Sequence, residues 1–382
     1  MAQRQTWIVG SGGFPTLQAA FDAPQVADGD LVVVRPGTYA GAVLTKGLLV
    51  RGDPGAVLDD GLPMITPPAV LQVTGLTAAQ AVEIAGFEVR HGQIHAQNCA
   101  GPVVLDDLRF VQNPPNMIQI DVVALQVDGC PWVSLTRADT QFRVVRATTS
   151  NLALEDCSIV SRDGWFSQFL IVWPQGPALE VDHCSLSLAS TSLRGSSLGG
   201  SAAIGCGSPA LVATDSFIGV AATCVLQAGG GPIGGGCSIP ALEFQGRGAV
   251  VVDPAASLIG SNSPPVGGIV PVTRAVPELG ATALTTGSQA SGVVVASPGD
   301  LFAVLLGVAR APVFFPPLDG GLGLDLSQPL LTVAAGVLSG ASTNWSLAVP
   351  SQPDLLGVMV GLQSVAGTGT LVLSNPLVRL LR

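Results

Sequence analysis

The sequence predicts an all-β chain: a solenoid of stacked parallel strands behind an N-terminal capping helix, followed by a C-terminal β-sandwich. Three observations predict it. First, five stretches carry an acidic residue two places before an apolar or cysteine anchor: Asp106 before Leu108, Asp128 before Cys130, Glu155 before Cys157, Asp182 before Cys184 and Asp215 before Phe217. A sixth stretch anchored at Phe87 has Ala85 in the acidic position, and the anchors are 21, 22, 27, 27 and 33 residues apart. One supersecondary unit recurring with loops of variable size marks a solenoid. Second, 48% of residues are hydrophobic, mostly Val, Leu, Ala and Ile in short runs, with 48 Gly and 29 Pro supplying turns. Such a composition suits many short strands rather than long helices. Third, the anchor pattern stops near the turn-rich residues 261–268, and short alternating runs separated by Pro, Gly and Asp follow. Runs of that kind predict a sandwich.

The elements follow in order. Residues 7–9 read as a first strand, and Thr16 reads as the N-cap of a helix that places Leu17, Ala20 and Phe21 on one face. The stretch FPTLQAAFDA…DGDLVVVRPGTYAG…TKGLLVRG, within residues 7–60, resembles the opening of pectin-lyase-like right-handed parallel β-helices. The resemblance implies that the helix caps the open end of the solenoid, as caps are needed to cover terminal strand edges. Apolar residues at −5, −3, 0 and +2 from each anchor are expected to point inward, the +2 set being Val89, Phe110, Trp132, Ile159 and Leu186. Roughly nine or ten rungs fit residues 30–262, a rod about 45 Å long at ~4.8 Å per rung. The expected domains are a β-helix over 1–262, a linker over 263–275 and a β-sandwich over 276–382. The last of these, through WSLAVPSQPDLLGVMVGLQ and LVLSNPLVRL, resembles a C-terminal module of secreted planctomycete-type bacterial proteins, which implies no known chemistry.

Charge and composition exclude some partners. The formal net charge is −10 and the pI about 4.6, so the chain repels nucleic acid and anionic lipid. Mean hydropathy is +0.53, yet no run reaches the ~18 apolar residues of a spanning helix, so no membrane insertion is expected. Only 11% of residues are charged, leaving a surface of small polar and apolar side chains that tends to associate. Met1 to Gln5 carry no apolar signal region; the resemblance to secreted proteins implies an extracellular or cell-surface location. Among the seven cysteines, Cys99, Cys130, Cys157 and Cys184 read as buried, stacked thiols. Cys206, Cys224 and Cys237 lie in Gly-rich turns and offer one disulfide whose pairing the sequence leaves open. No zinc-type cysteine spacing occurs.

Stacking is expected to line up Asp106, Asp128, Glu155, Asp182 and Asp215 along one edge, with Asp107 and Asp156 beside them. Bare carboxylates ~4.8 Å apart repel by about 0.9 kcal/mol per pair even in water. Bound cations, nearby arginines, raised pKa values or outward fanning would offset this. The five acids are therefore candidate calcium (Ca2+) ligands, against the plainer reading that Asp favours tight turns through its own backbone hydrogen bonds. The family resemblance implies calcium-bound Asp with an Arg base, or paired Asp acids, in polysaccharide lyases and glycoside hydrolases. Asp106, Asp107, Arg109 and His91 are the catalytic candidates on that basis, although the family's Gly-His-Gly and Arg-Ile-Lys motifs are absent. Trp165, Phe166, Phe169 and Trp173 form a candidate platform for a glycan or partner, or a buried rung. No P-loop, G-x-S-x-G or H-E-x-x-H motif occurs. The expected function is a non-catalytic extracellular structural protein that self-associates into a fibre, filament or surface layer. The alternatives are a carbohydrate-active enzyme, a lyase or hydrolase, on the same scaffold and a glycan-binding or adhesive module.

Overall fold

The computed structural model describes residues 4–59, 69–111, 123–141, 144–161, 164–167, 170–171, 176–199, 206–230, 237–282, 284–314, 321–352, 355 and 358–381. The chain winds as a parallel β-helix. Each rung contributes strands to three columns. In the first, Val103, Val133, Leu152, Leu186, Ile218 and Val250 stack rung upon rung in continuous parallel register. The second continues it past a bend, through strands such as Asp139–Gln141, Ser158–Val160, Ser192–Arg194 and Val225–Gln227. The third is a separate nine-stranded sheet running from Ala42–Leu44 to Val266–Gly267. Side chains alternate along every strand. In Val123–Asp128, for example, Leu125 and Val127 are buried while Gln126 and Asp128 are half-exposed. The inward set merges into one long apolar cluster that includes the stacked thiols. Burial pushes the Cys157 and Cys224 thiols up to about 12, as expected for groups whose charged form is desolvated.

The rungs turn corners on residues with positive φ. Gly86, Asp107, Arg137, Asp156 and Ser190 bend the first column into the second, and Asn98, Gly129, Thr149, His183, Asp215 and Gly246 join the third to the first. At the latter corner backbone N–H groups reach carbonyls of the next rung: Asn98 to Asp128 at 2.9 Å, Thr149 to Asp182 at 2.9 Å and His183 to Thr214 at 2.9 Å. The acid-then-anchor pattern is therefore a corner signature, and the chain has two such corners per rung.

This corrects the expected single edge. Asp106 and Glu155 stand on the first column, separated by Thr136 on the intervening rung. Asp128 and Asp182 end strands of the third sheet, separated by Thr148. Asp215 is itself the positive-φ corner residue. With the acid one place later in that rung, the inward residue is Ser216, and Phe217 points out, 64% exposed. Trp132 is buried but packs outward, with Val104 and Val378, away from the lumen.

The ends are covered differently. Thr16 caps the helix Leu17–Asp22, accepting from the Ala19 N–H at 3.1 Å, and Leu17, Ala20 and Phe21 face the core. In the expected linker, Val266–Gly267 and Val272–Thr273 pair in parallel with Leu242–Gln245 and Ala249–Val252, so the solenoid register runs on through them. Cys206 and Cys237 form the disulfide, and Cys224 remains a buried thiol.

Beyond residue 276 pairing turns antiparallel. One sheet holds Glu278–Ala281, Gln289–Val295 and Ser342–Ala348; a second holds Leu331–Val337, Leu301–Gly307, Met359–Gly367, Val372–Leu373 and Leu377–Leu380; a third pairs Ala309–Phe314 with Gly321–Leu324. Leu279, Val294 and Trp345 from the first share a buried cluster with Val304, Leu362 and Leu377 from the second. These sheets lie against the outer surface of the first column, where Val104 and Trp132 meet Val378, Ala309 and Met359. Gly323 is required at this contact, since a Cβ there would fall 2.5 Å from the Trp132 ring.

Candidate functional site

The first column's outer surface is partly covered, and each of its two acids is paired with an arginine. Arg137 Nη2 donates to Asp106 Oδ2 at 2.5 Å. Arg379, from the C-terminal strand Leu377–Leu380, donates to Glu155 Oε2 at 2.6 Å, both side chains being 13% exposed. Burial pushes the Glu155 carboxyl above the usual carboxylate range, and Arg379 draws it back. Glu278 accepts hydrogen bonds from Ser190 and Thr223 across the same junction. Glu155 is thus part of a docking surface, whereas Asp106 pairs within the solenoid with a corner residue of the next rung.

The catalytic candidates do not converge. Asp107 is an exposed corner residue. Arg109 sits on the second column, 3.7 Å from Glu88, which also pairs with Arg90 at 2.6 Å. His91 lies 2.8 Å from Asp59 through Nδ1. Of the aromatic candidates, Phe169 and Trp173 lie outside the described residues. Trp165 and Phe166 belong to the strand Gly164–Ser167, whose backbone pairs with Leu170–Ile171 and Leu198–Gly199. Among the described residues no three His, Cys, Asp or Glu side chains gather as a metal-ligand group, and the proposed calcium set is divided between two sheets.

What the fold does assemble lies on the outer face of the third sheet. Its register stacks Gln72, His95, Gln126, Arg146, Glu180, Val212 and Glu243 in one outward row. A second row holds Thr74, Gln97, Asp128, Thr148, Asp182, Thr214 and Gln245. With the corner residues Asp215 and Arg247, the face carries five carboxylates, Asp128, Glu180, Asp182, Asp215 and Glu243, against two guanidiniums, Arg146 and Arg247. At one end His95 Nε2 is 2.8 Å from Asp128 Oδ2, which also accepts from Gln126 Nε2 at 2.8 Å. Midway, Arg146 Nε donates to Glu180 Oε2 at 2.9 Å.

At the other end His183 lies between two carboxylates, with Nδ1 2.7 Å from Asp182 Oδ1 and Nε2 3.7 Å from Asp215 Oδ2. The Arg247 backbone N–H donates to Asp215 Oδ1 at 2.6 Å. That approach requires Gly246 (φ 78°), where a Cβ would lie 2.4 Å from the same oxygen. His183, Asp215, Phe217, Arg247 and Gly248 line a shallow depression at this corner. It offers an exposed ring, hydrogen-bond acceptors on two carboxylates and an imidazole held between them. Asp128, Asp182 and Asp215 belong to the acidic repeat; Glu180, Glu243, His95, Gln126 and the outward Phe217 emerge only from the strand register.

The chain matches no protein-family model and no curated protein. Among solved structures it is similar to full-length tailspike protein 2 from Escherichia coli O157:H7 bacteriophage CAB120, with TM-score 0.24 and 10% identity over 96% of this chain and 61% of that one. It is also similar to the enzymatically active domain of bacteriophage CBA120 tailspike protein 2, with TM-score 0.28 and 10% identity over 100% of this chain and 71% of that one. The chain therefore spans less than two thirds of the full-length tailspike it matches.

Proposed function

We propose that this protein is an extracellular glycan-binding β-helix whose polysaccharide ligand lies along the outer face of the third sheet. The observation that carries the reading is the corner depression, where an aromatic ring 64% exposed stands beside His183 and its two carboxylates. An exposed aromatic face stacks on the C–H face of a sugar, while carboxylate, amide and imidazole groups bind its hydroxyls. The polar rows extend the surface over six rungs from His95 to Glu243, about 24 Å at ~4.8 Å per rung, room for several sugar units. The Cys206–Cys237 disulfide supports an oxidising compartment, and residues 276–382 act in this reading as a β-sandwich that braces the solenoid. A glycan array followed by titration calorimetry tests it. Phe217→Ala is expected to weaken binding at least tenfold without changing the melting temperature; unchanged affinity removes the proposal. Reducing-end release, assayed alongside, reads whether Asp182 and Asp215 also hydrolyse the bound glycan.

A second reading, self-association, is favoured by a separate observation. Leu331–Val337 pairs on one side only among the described residues, and carries exposed Leu331 (52%) and Val337 (61%) with no charged residue. An edge strand without charge or proline is a template for further strands. Sedimentation at rising concentration is expected to show assembly that Val337→Lys abolishes; a wild-type chain that stays monomeric at high concentration refutes it.

A further inference from the structure

We infer that the glycan bound on the third sheet is an uncharged one, rather than a polymer bearing uronate, sulfate or phosphate groups. The inference rests on the glycan-binding reading above and deepens it. Carboxylates outnumber guanidiniums on this face, as counted above, and all but one of its guanidinium and imidazole groups are already paired. The Arg146 guanidinium is held at 2.9 Å by Glu180. The two imidazoles are held by Asp128 and Asp182, at 2.8 and 2.7 Å. Only Arg247, which lines the corner depression, stands exposed on the face without such an ion pair among the described residues, and there Asp182 and Asp215 set two carboxylates against it.

An anionic polymer laid along the rungs brings a charge past these carboxylates with every sugar unit. The spacing between rungs is shorter than the ~10 Å screening length at 0.1 M salt, so salt removes little of the repulsion. The chain's net charge of −10 adds a long-range barrier to the approach of any polyanion. A neutral sugar meets the opposite situation. Its hydroxyls donate to the carboxylates, and the outward amides of Gln72, Gln97, Gln126 and Gln245 both donate and accept. Stacking at Phe217 needs no charge at all.

The test begins with an array holding neutral and acidic glycans, read with the full chain at fixed salt. Each neutral hit is then oxidised at its primary hydroxyls to the matching uronate, so that linkage and length stay constant while charge is added. Hits are expected among neutral glycans, with the oxidised form binding at least tenfold more weakly. Glu180→Gln, which removes one carboxylate and frees Arg146 of it, is expected to narrow that gap to threefold or less, with folding checked by circular dichroism. Acidic glycans binding as tightly as their neutral counterparts overturn the inference while leaving the binding reading intact. No binding by any glycan overturns both.

Discussion

Glu155 lies where the solenoid meets the C-terminal sheets, and its protonation links the two. Burial raises its pKa, Arg379 lowers it again, and the nearby Glu278 and Asp156 add a smaller upward push. The net shift is upward, so the folded chain holds this proton at pH values where the unfolded chain has released it. The sign follows from linkage: the group's contribution is fully present below the ordinary glutamate range and is lost as pH rises through the raised value. Removing Arg379 takes away the downward pull and leaves a buried carboxylate without a partner, a change that costs roughly 3–5 kcal/mol in buried pairs. Arg379→Ala is therefore expected to be strongly destabilising at pH 8 and distinctly less so at pH 5, with Glu155→Gln restoring part of the loss. Urea unfolding at the two pH values measures this; an equal loss at both refutes the assignment.

The corner is the element that organises everything above the residue. Its positive-φ position is filled by Asn98, Gly129, Thr149, His183, Asp215 and Gly246 on successive rungs. Asn and Gly suit the left-handed region, whereas a β-branched Thr at φ 50° is strained there. Thr149 is exposed, and its backbone N–H is the group that makes the inter-rung bond. Thr149→Asn keeps that bond and relieves strain, so it is expected to stabilise by about 0.5–1 kcal/mol, a fraction of the ~1–2 kcal/mol of the left-handed penalty. A lower melting temperature for the variant would contradict this. The same corners explain what could be read in the sequence. The capping helix, the parallel stacking and the inward Leu108, Cys130, Cys157 and Cys184 followed from local pattern. The edge on which each acid stands did not, because both corners of a rung share one local signature and only rung length tells them apart. Val103 to Val133 is a rung of 30 residues, Val133 to Leu152 one of 19. An alignment on that signature therefore moves between corners and merges two edges into one. Phe217 was misassigned for the same reason, its acid having moved one place into the corner itself.

At the scale of the molecule, the antiparallel sheets beyond residue 276 are attached by more than the chain. Val378 is fully buried against Trp132 and Val104, Arg379 beside it closes the ion pair to Glu155, and Glu278 takes hydroxyl donors from Ser190 and Thr223. These contacts fall on the first column and, among the described residues, do not involve the face of His95, Asp128 and His183, so bracing and the proposed binding are assigned to different sheets. Units that share a buried apolar cluster and a buried ion pair unfold together when the shared free energy exceeds the stability difference between them. One calorimetric transition is expected for the intact chain. Val378→Asp places an unpaired carboxylate against Trp132, where burial without a partner is strongly unfavourable. That single change is expected to split the transition in two, the C-terminal sheets melting first and the disulfide-linked solenoid later. Glycan binding through Phe217 should survive it within about threefold, ~0.65 kcal/mol. A variant that still melts in one step, or loses binding along with its docking, would show that bracing and recognition are not separable in this way.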